Sequence, residues 1–405
     1  MEAPVAAARN RDLTLTAAGA AVSEFGNALS LLVLLFWATP ISPLLVAAIL
    51  VAELLPFVLG APVAGLLVDL LPNRRLLIVA LLCQGVAIAV IAPLMGQPVF
   101  VVALVFVSGC GRAIAQPCIS ALVPHIAGEE HSTRAYALLA TVRSAGNIAG
   151  VTGGALLAGF FGHPAAMLID GCTFLVYALV LAFVKAERRP SGEHEARPSA
   201  LAGVRHVRRD GVLFAAVVGV ACFVGATVVI NVADPAFVRF VLHGDEFLLG
   251  AMQACWMVGI IVGNRLAARL TSASQFAHAL AITGVTTGIA VLIPATFPFV
   301  ATAVIGWFIG GVSNGVDNVA IHAIARLRTP EEMRGRAFAA IGSMITGANL
   351  LGTAAAGGLL LFLGPRAVFA LGGTGALLAG VTCLVFVRRA LKREKSPAEA
   401  GLSSL

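Results

Sequence analysis

From Leu270 to Val316 the chain carries no Asp, Glu, Lys or Arg, and neither does the stretch from Leu76 to Gly111. Soluble domains place a charged residue at about every fourth position, so runs of this length have no water-facing surface to occupy. A helix rises about 1.5 Å per residue and crosses the hydrocarbon of a bilayer in about 20 residues. Each run is therefore too long for one crossing, and each is broken once, the first by Pro93, Gly96 and Pro98, the second by Pro294 and Pro298. Proline deletes a helical N–H and clashes with the preceding turn, so each run reads as two membrane helices joined by a short turn. The rest of the chain agrees: 59% of its 405 residues are hydrophobic and 12% charged, with a mean hydropathy of +0.96.

Segments long enough to span fall at 13–37, 42–67, 76–95, 98–122, 136–160, 165–184, 212–235, 247–268, 278–295, 299–322, 337–363 and 366–387. They predict an all-α membrane protein of twelve transmembrane helices. The polar start, Met1 to Asp12, leads into an apolar segment without a small-residue cleavage site, so the first span is expected to stay. With the N-terminus inside, 23 basic residues fall in inside loops and tails and only Arg239 and Arg366 fall outside. Lys and Arg mark the cytoplasmic side, which predicts a multi-pass protein of the cell inner (plasma) membrane with both termini cytoplasmic. The same rule, with an anionic leaflet, accounts for the net charge of +7 and gives no reason to expect nucleic acid. The seven cysteines all lie in apolar segments without ligand spacing, and read as buried small hydrophobes rather than disulfides or metal ligands.

The two halves repeat. Adding 202 to a residue number sets Glu129-Glu130 on Glu331-Glu332, Arg134-Ala135-Tyr136-Ala137 on Arg336-Ala337-Phe338-Ala339, Asn147 on Asn349, Gly150 on Gly352 and Gly109 on Gly311. Charged and Asn positions in one register point to duplication of a six-helix unit. The expected domains are an N-terminal six-helix bundle over 1–184, a cytoplasmic linker with a surface helix over 185–211, a pseudo-symmetric six-helix bundle over 212–387, and a cytoplasmic tail over 388–405.

The first span of each three-helix group carries a polar set at helical spacing: Glu24 with Asn27, Arg112 with Gln116, Asn231 with Asp234, and Asn314 with Asp317 and Asn318. A charge at the bilayer centre costs about 2.5–3.5 kcal/mol or more unless solvated or paired, so four polar faces predict one shared aqueous cavity. Glu24 and Arg112 both fall near mid-span, and two readings stand for them: an ion pair locking two helices, or a proton-coupling pair with Glu53 as an alternate carrier. Arg143 and Asn147 share a face, as cavity lining or as packing. Asp170 reads as structural, near the outer face. Asp234 and Asp317 read as gates or cavity rim. Gly146, Gly150 and Gly154 recur every fourth residue and allow close, sliding helix contact, whereas the pairs 259/263, 306/310 and 311/315 read as plain packing. Gly311-Val312-Ser313-Asn314-Gly315 has a nucleophile-elbow spacing but sits in mid-helix. No phosphate loop or His-Glu-x-x-His occurs, so no enzyme activity is expected.

Twelve spans, two repeats and a charged turn after the second span together resemble the major facilitator superfamily over residues 12–390. Within it, the chain resembles the bacterial drug and siderophore exporters, enterobactin-exporter-like and macrolide-efflux-like. The resemblance rests on Pro117 to Pro124 followed by Arg134-Ala135, on Arg334-Gly335-Arg336, and on Leu168-Ile169-Asp170 with Phe174. It implies the major facilitator fold and a cytoplasmic gate at Gly65, Asp69, Arg74 and Arg75 with Arg334 and Arg336, where Asp69 faces a helix N-terminus. Leu70, Pro72 and Asn73 depart from that family signature. It also implies a hinge at Gly146, Gly150 and Gly154, where Val151 replaces the family's proline, and proton coupling at Arg112, with Gln116 in place of a glycine.

The function expected is secondary active transport by alternating access: a proton-coupled exporter (antiporter) of an amphipathic drug-like compound, siderophore or peptide/macrolide natural product, hence multidrug or antibiotic resistance. A proton-coupled importer of a small solute and a non-transporting membrane scaffold or sensor are the alternatives. No cofactor is expected beyond the proton gradient as energy source. The expected partners are the lipid bilayer, protons and a small-molecule substrate, with the protein a monomer.

Overall fold

The computed structural model describes residues 2–128, 131–186, 200–330 and 333–402, and every element among them is helical. They are α1 (Glu2–Ala38), α2 (Pro43–Leu59), α3 (Ala61–Leu70), α4 (Asn73–Leu94), α5 (Pro98–Ala127), α6 (Ser132–Phe161), α7 (His163–Ala182), α8 (Ala200–Arg209), α9 (Gly211–Phe240), α10 (Glu246–Ala267), α11 (Ala273–Thr296), α12 (Val300–Arg328) and α13 (Arg334–Leu402). Both uncharged runs break as expected: α4 ends at Leu94 and α5 begins at Pro98, while α11 ends at Thr296 and α12 begins at Val300.

The expected span 42–67 is not one helix. It divides at Gly60 into α2 and α3, because Pro62 in the first turn of α3 has no N–H to continue the ladder. α13 is in turn two arms meeting at Gly364, whose φ of 74° and ψ of 166° interrupt the helix. Gly162, between α6 and α7, has φ 79° and ψ 166°. These two glycines stand 202 residues apart, so the repeat read from side chains is also present in the backbone, at turns that only glycine enters without strain. Among the described residues nine helices are long and apolar enough to cross a membrane: α13 is counted once, the 17-residue α2 is below the length, and α12 is not one of the nine. By that measure the expected twelve is not reached.

The helices sort into two compact units, Met1–His194 with Asp245–Ala251, and Glu195–Gly244 with Met252–Leu405. In the first, α1 packs on α6 and α7, α4 on α5 and α7, and α2 on α5. Gly146, Gly150 and Gly154 lay the backbone of α6 directly on α1: a methyl added at the first two would overlap the carbonyl oxygens of Ala21 and Phe25, and at the third would stand 2.9 Å from Leu29 Cα. Where the chain leaves this unit, Asp12 Oδ2 accepts from the backbone N–H of Lys185 (2.9 Å) and Ala186 (3.1 Å), and Arg74 Nη1 donates to Val184 O.

In the second unit α9 and α11 pack on α13, and α11 packs on α12. Its core joins Val212, Leu213, Val217, Phe276, Ile324 and Val387. Gly259 and Gly263 of α10 meet Phe308 and Val312 of α12, and Gly311 and Gly315 of α12 meet Trp256 and Ile260 of α10. α8 falls within the stretch 185–211 expected to be a linker with a surface helix; in it Val207 is buried in the core while Arg205, Arg208 and Arg209 are exposed. Asp210 caps α9 by accepting from Val212 N (3.0 Å) and Leu213 N (2.8 Å), and both its oxygens accept from Arg328 Nε. The Glu129-Glu130 and Glu331-Glu332 match and most of the linker, 187–199, lie outside the described residues.

Candidate functional site

The charged side chains of the first unit converge from four helices. Arg112 of α5 donates from Nη1 to Glu53 Oε1 of α2 at 2.5 Å, and its Nη2 lies 3.7 Å from Glu24 Oε2 of α1. Arg143 of α6 donates from Nε (2.8 Å) and Nη2 to Glu24 Oε1, and from Nη1 to Gln116 Oε1 at 3.1 Å. Glu24 thus stands between two guanidinium groups, and Glu53 is held by one. Two acids and two bases balance, which offsets part of the cost of carrying each of them in a membrane helix.

This refines the pairing expected from sequence. The expected pair of Glu24 and Arg112 is present at 3.7 Å, but each has a closer partner: Arg112 meets Glu53, the expected alternate carrier, and Glu24 meets Arg143. Arg143 also turns toward ion pairing, while Asn147, one turn along α6, is half-buried with Oδ1 unpartnered among the described residues. No spacing rule in the sequence says which acid meets which base across helices.

Beside the ionic cluster lies a cavity of about 30 Å³, room for a water or two. Glu24, Asn27, Gln84, Arg112 and Tyr177 line it, and the buried Tyr177 hydroxyl has no hydrogen-bond partner among the described residues. Asp170 of α7 is fully buried in the position that Gly26 of α1 leaves open, with Thr173 Oγ1 3.2 Å from its Oδ1. It is a packed interior group.

In the second unit the expected residues do not form an ionic cluster. Asn231 is exposed, and Asn318 Nδ2 donates to Asn314 Oδ1 at 3.0 Å. Asp234 and Asp317, expected at a gate or rim, are both buried within the helix packing. Asp234 Oδ2 accepts from Gln253 Nε2 of α10 at 3.2 Å, and Asp317 Oδ1 meets Thr283 Oγ1 of α11. These polar partners on the neighbouring helix draw both carboxyl groups inward. Of the expected gate, Gly65 lies in α3, Arg74 is tied to Val184 O, and Arg75 and Arg334 are placed on α4 and α13. The side chains of Asp69 and Arg336 lie outside the described residues. No group of three His, Cys, Asp or Glu among the described residues is placed to hold a metal ion.

Comparison with known proteins gives a consistent picture. The chain is 23% identical over 402 residues to the uncharacterized MFS-type transporter YfiS of Bacillus subtilis (strain 168), covering 95% of each. It is 22% identical over 387 residues to macrolide efflux protein A of Streptococcus pyogenes, covering 90% of this chain and 93% of that protein. Among solved structures it is similar to the nucleoside transporter NupG, with a TM-score of 0.74 at 10% identity over 93% of this chain and 98% of that one. It is also similar to a bacterial homologue of the iron transporter ferroportin in an inward-facing state, with a TM-score of 0.72 at 18% identity over 93% and 98%. At these identities the structural likeness is one of fold. The sequence profile described as Major Facilitator Superfamily matches residues 13–296 and 230–405, more than half of the sequence, and the chain belongs to that superfamily.

Proposed function

We propose that the protein is a proton-coupled exporter of amphipathic small molecules, working by alternating access of its two units. The observation that carries this is the cluster of Glu24, Glu53, Arg112 and Arg143, in which one arginine already lies between two carboxylates. Protonation of Glu53 breaks one ion pair and frees Arg112 to close the 3.7 Å gap to Glu24; deprotonation draws it back. Protonation of Glu24 would instead disturb contacts with two arginines. Glu53 is therefore the carrier in this reading, and Glu24 the anchor that Arg112 moves toward. One proton moving down about 100 mV supplies about 2.3 kcal/mol, enough for a gradient of a few tens-fold.

The macrolide efflux relative favours export and an amphipathic substrate. In the same reading twelve spans cross the membrane, with α2 and α3 as one broken span and α13 as two. The gate near Asp69 and Arg74 faces the cytoplasm, as do both termini. A vesicle assay tests this. Export requires uptake of an amphipathic macrolide into inverted vesicles that depends on an acid interior; uptake with the opposite vectoriality would make the protein an importer, and absence of flux for a broad panel of solutes would leave a scaffold.

A further inference from the structure

We propose that the second unit carries a binding site for the headgroup of an anionic phospholipid, built by the exposed arginines of α8 and of the far arm of α13. The proposal does not rest on the coupling mechanism above and is read without transport.

The basic residues are unevenly placed. Lys and Arg that only fix the orientation of a chain in the membrane are expected at the same helix ends of both units. In the first unit the segments 1–12, 69–75, 124–136 and 184–186 carry six basic and five acidic residues. The segments flanking the same helix ends of the second, 200–210, 265–272, 326–336 and 388–395, carry fourteen and four. A formal +1 stands against +10, an excess that orientation alone does not require of one unit.

Packing turns part of that excess into one surface. Val207 of α8 shares a core with Val212 of α9 and Val387 of α13, and a methyl on Gly211 would stand 3.8 Å from Ala390 Cβ. α8 is thereby fixed at the start of α9 and against the far arm of α13. Gly203 and Val207, four residues apart, face inward, which leaves Arg205, Arg208 and Arg209 on the opposite, exposed side. Arg388 and Arg389, within one turn of Ala390, are exposed on the α13 side of the same contact. Asp210, the next residue after Arg209, is occupied in capping α9 and accepting from Arg328.

The chemistry of this patch selects its ligand. All five groups are guanidinium, which binds phosphate through two parallel N–H···O bonds where an ammonium offers only a point charge. A lipid rather than a soluble anion is the occupant because the arginines border apolar surface. Phe214, one turn into α9, and Phe386, two residues before Arg388, are 39% and 52% exposed, and α9 continues as a helix long and apolar enough to cross a membrane. A phospholipid sets its phosphate on the arginines and its acyl chains along such side chains, the arrangement by which basic amphipathic helices hold to anionic leaflets.

Native mass spectrometry of the full chain in detergent, titrated with phosphatidylglycerol, phosphatidylcholine or inorganic phosphate, tests this. The wild type is expected to bind phosphatidylglycerol about tenfold more tightly than phosphatidylcholine, and a variant with Arg205→Gln, Arg208→Gln and Arg209→Gln to lose about that factor. Arg265→Gln with Arg269→Gln, which removes exposed charge from α10 instead, is expected to change the affinity less than about twofold. Equal losses in the two variants would mean diffuse surface charge and overturn the proposal, as would displacement of the lipid by millimolar phosphate or equal affinity for the two lipids. Should the α8 variant fail to fold, Arg388→Gln with Arg389→Gln reads the same site from α13, and an unchanged affinity for phosphatidylglycerol would overturn the proposal there.

Discussion

The two units carry one sequence repeat but differ at four of their charges: Asp170 of the first unit, like Asp234 and Asp317 of the second, is met by a neutral group, whereas Glu24 and Glu53 are paired with arginines. In the first, Glu24 and Glu53 are met by Arg112 and Arg143. In the second, Asp234 is met by an amide and Asp317 by a hydroxyl. The repeat makes the divergence specific: adding 202 to Glu24, Glu53, Arg112 and Arg143 arrives at Ala226, Cys255, Asn314 and Ile345. All four charges are absent from the second unit at the matching positions, and its acids stand elsewhere. An ion pair between mobile side chains can exchange partners, whereas a carboxyl held by one neutral neighbour can only hold or lose a proton. In the proposed mechanism the first unit is the one that switches.

The sharpest way to break this comparison is to remove a cation. Arg112→Met leaves Glu53 without its partner, and breaking a buried pair costs about 3–5 kcal/mol; with the Arg112 side chain 32% exposed, the expected loss is about 2–3 kcal/mol, read as a lower melting temperature in detergent. Adding Glu53→Gln to Arg112→Met is expected to restore most of it, and a double mutant no more stable than the single would mean that the pair contributes by packing alone.

Backbone contact comes next in size. Gly150→Ala pushes a methyl into Phe25 O across the α1–α6 contact and is expected to cost about 1–3 kcal/mol, whereas Gly347→Ala in α13, with nothing within 4 Å, is expected to be neutral or stabilising by about 0.5 kcal/mol. Equal melting temperatures for the two would remove the case for a tight α1–α6 interface. Asp210→Ala removes a helix cap and the partner of Arg328, with an expected loss of about 1–2 kcal/mol; Asp210→Asn, which keeps the cap, is expected to recover about half. The smallest effect is expected at Asp234→Asn, within about 0.5 kcal/mol of wild type, because an amide can still bond Gln253. A loss as large as that of Arg112→Met would show that the second unit relies on a charge after all.

Much of this was legible in the sequence, for identifiable reasons. Uncharged runs closed by Pro93 and Pro98, or by Pro294 and Pro298, have one physical solution, and the helices begin and end there. Glycines every fourth residue in α6 announced a close backbone contact, though not that α1 was the helix contacted. What could not be read was the pairing between helices. Glu24, Glu53, Arg112 and Arg143 are each conspicuous in an apolar setting, yet which acid meets which base depends on helix rotation and lateral order, which periodicity does not encode. Thr283 was invisible for the same reason: a threonine in an apolar helix gains meaning only when Asp317 is seen against it. The break at Gly60 was not read, although Pro62 stands inside the apolar stretch 42–67.

The most direct test of the central claim, that switching resides in the ionic cluster of the first unit, is proton-driven substrate accumulation in inverted vesicles for Glu53→Gln beside Asp234→Asn. Glu53→Gln is expected to abolish accumulation while counterflow exchange of substrate persists, and Asp234→Asn to accumulate as the wild type does. Accumulation against a gradient by a folded Glu53→Gln protein, with loss of it in Asp234→Asn, would contradict the account and move the switch to the second unit.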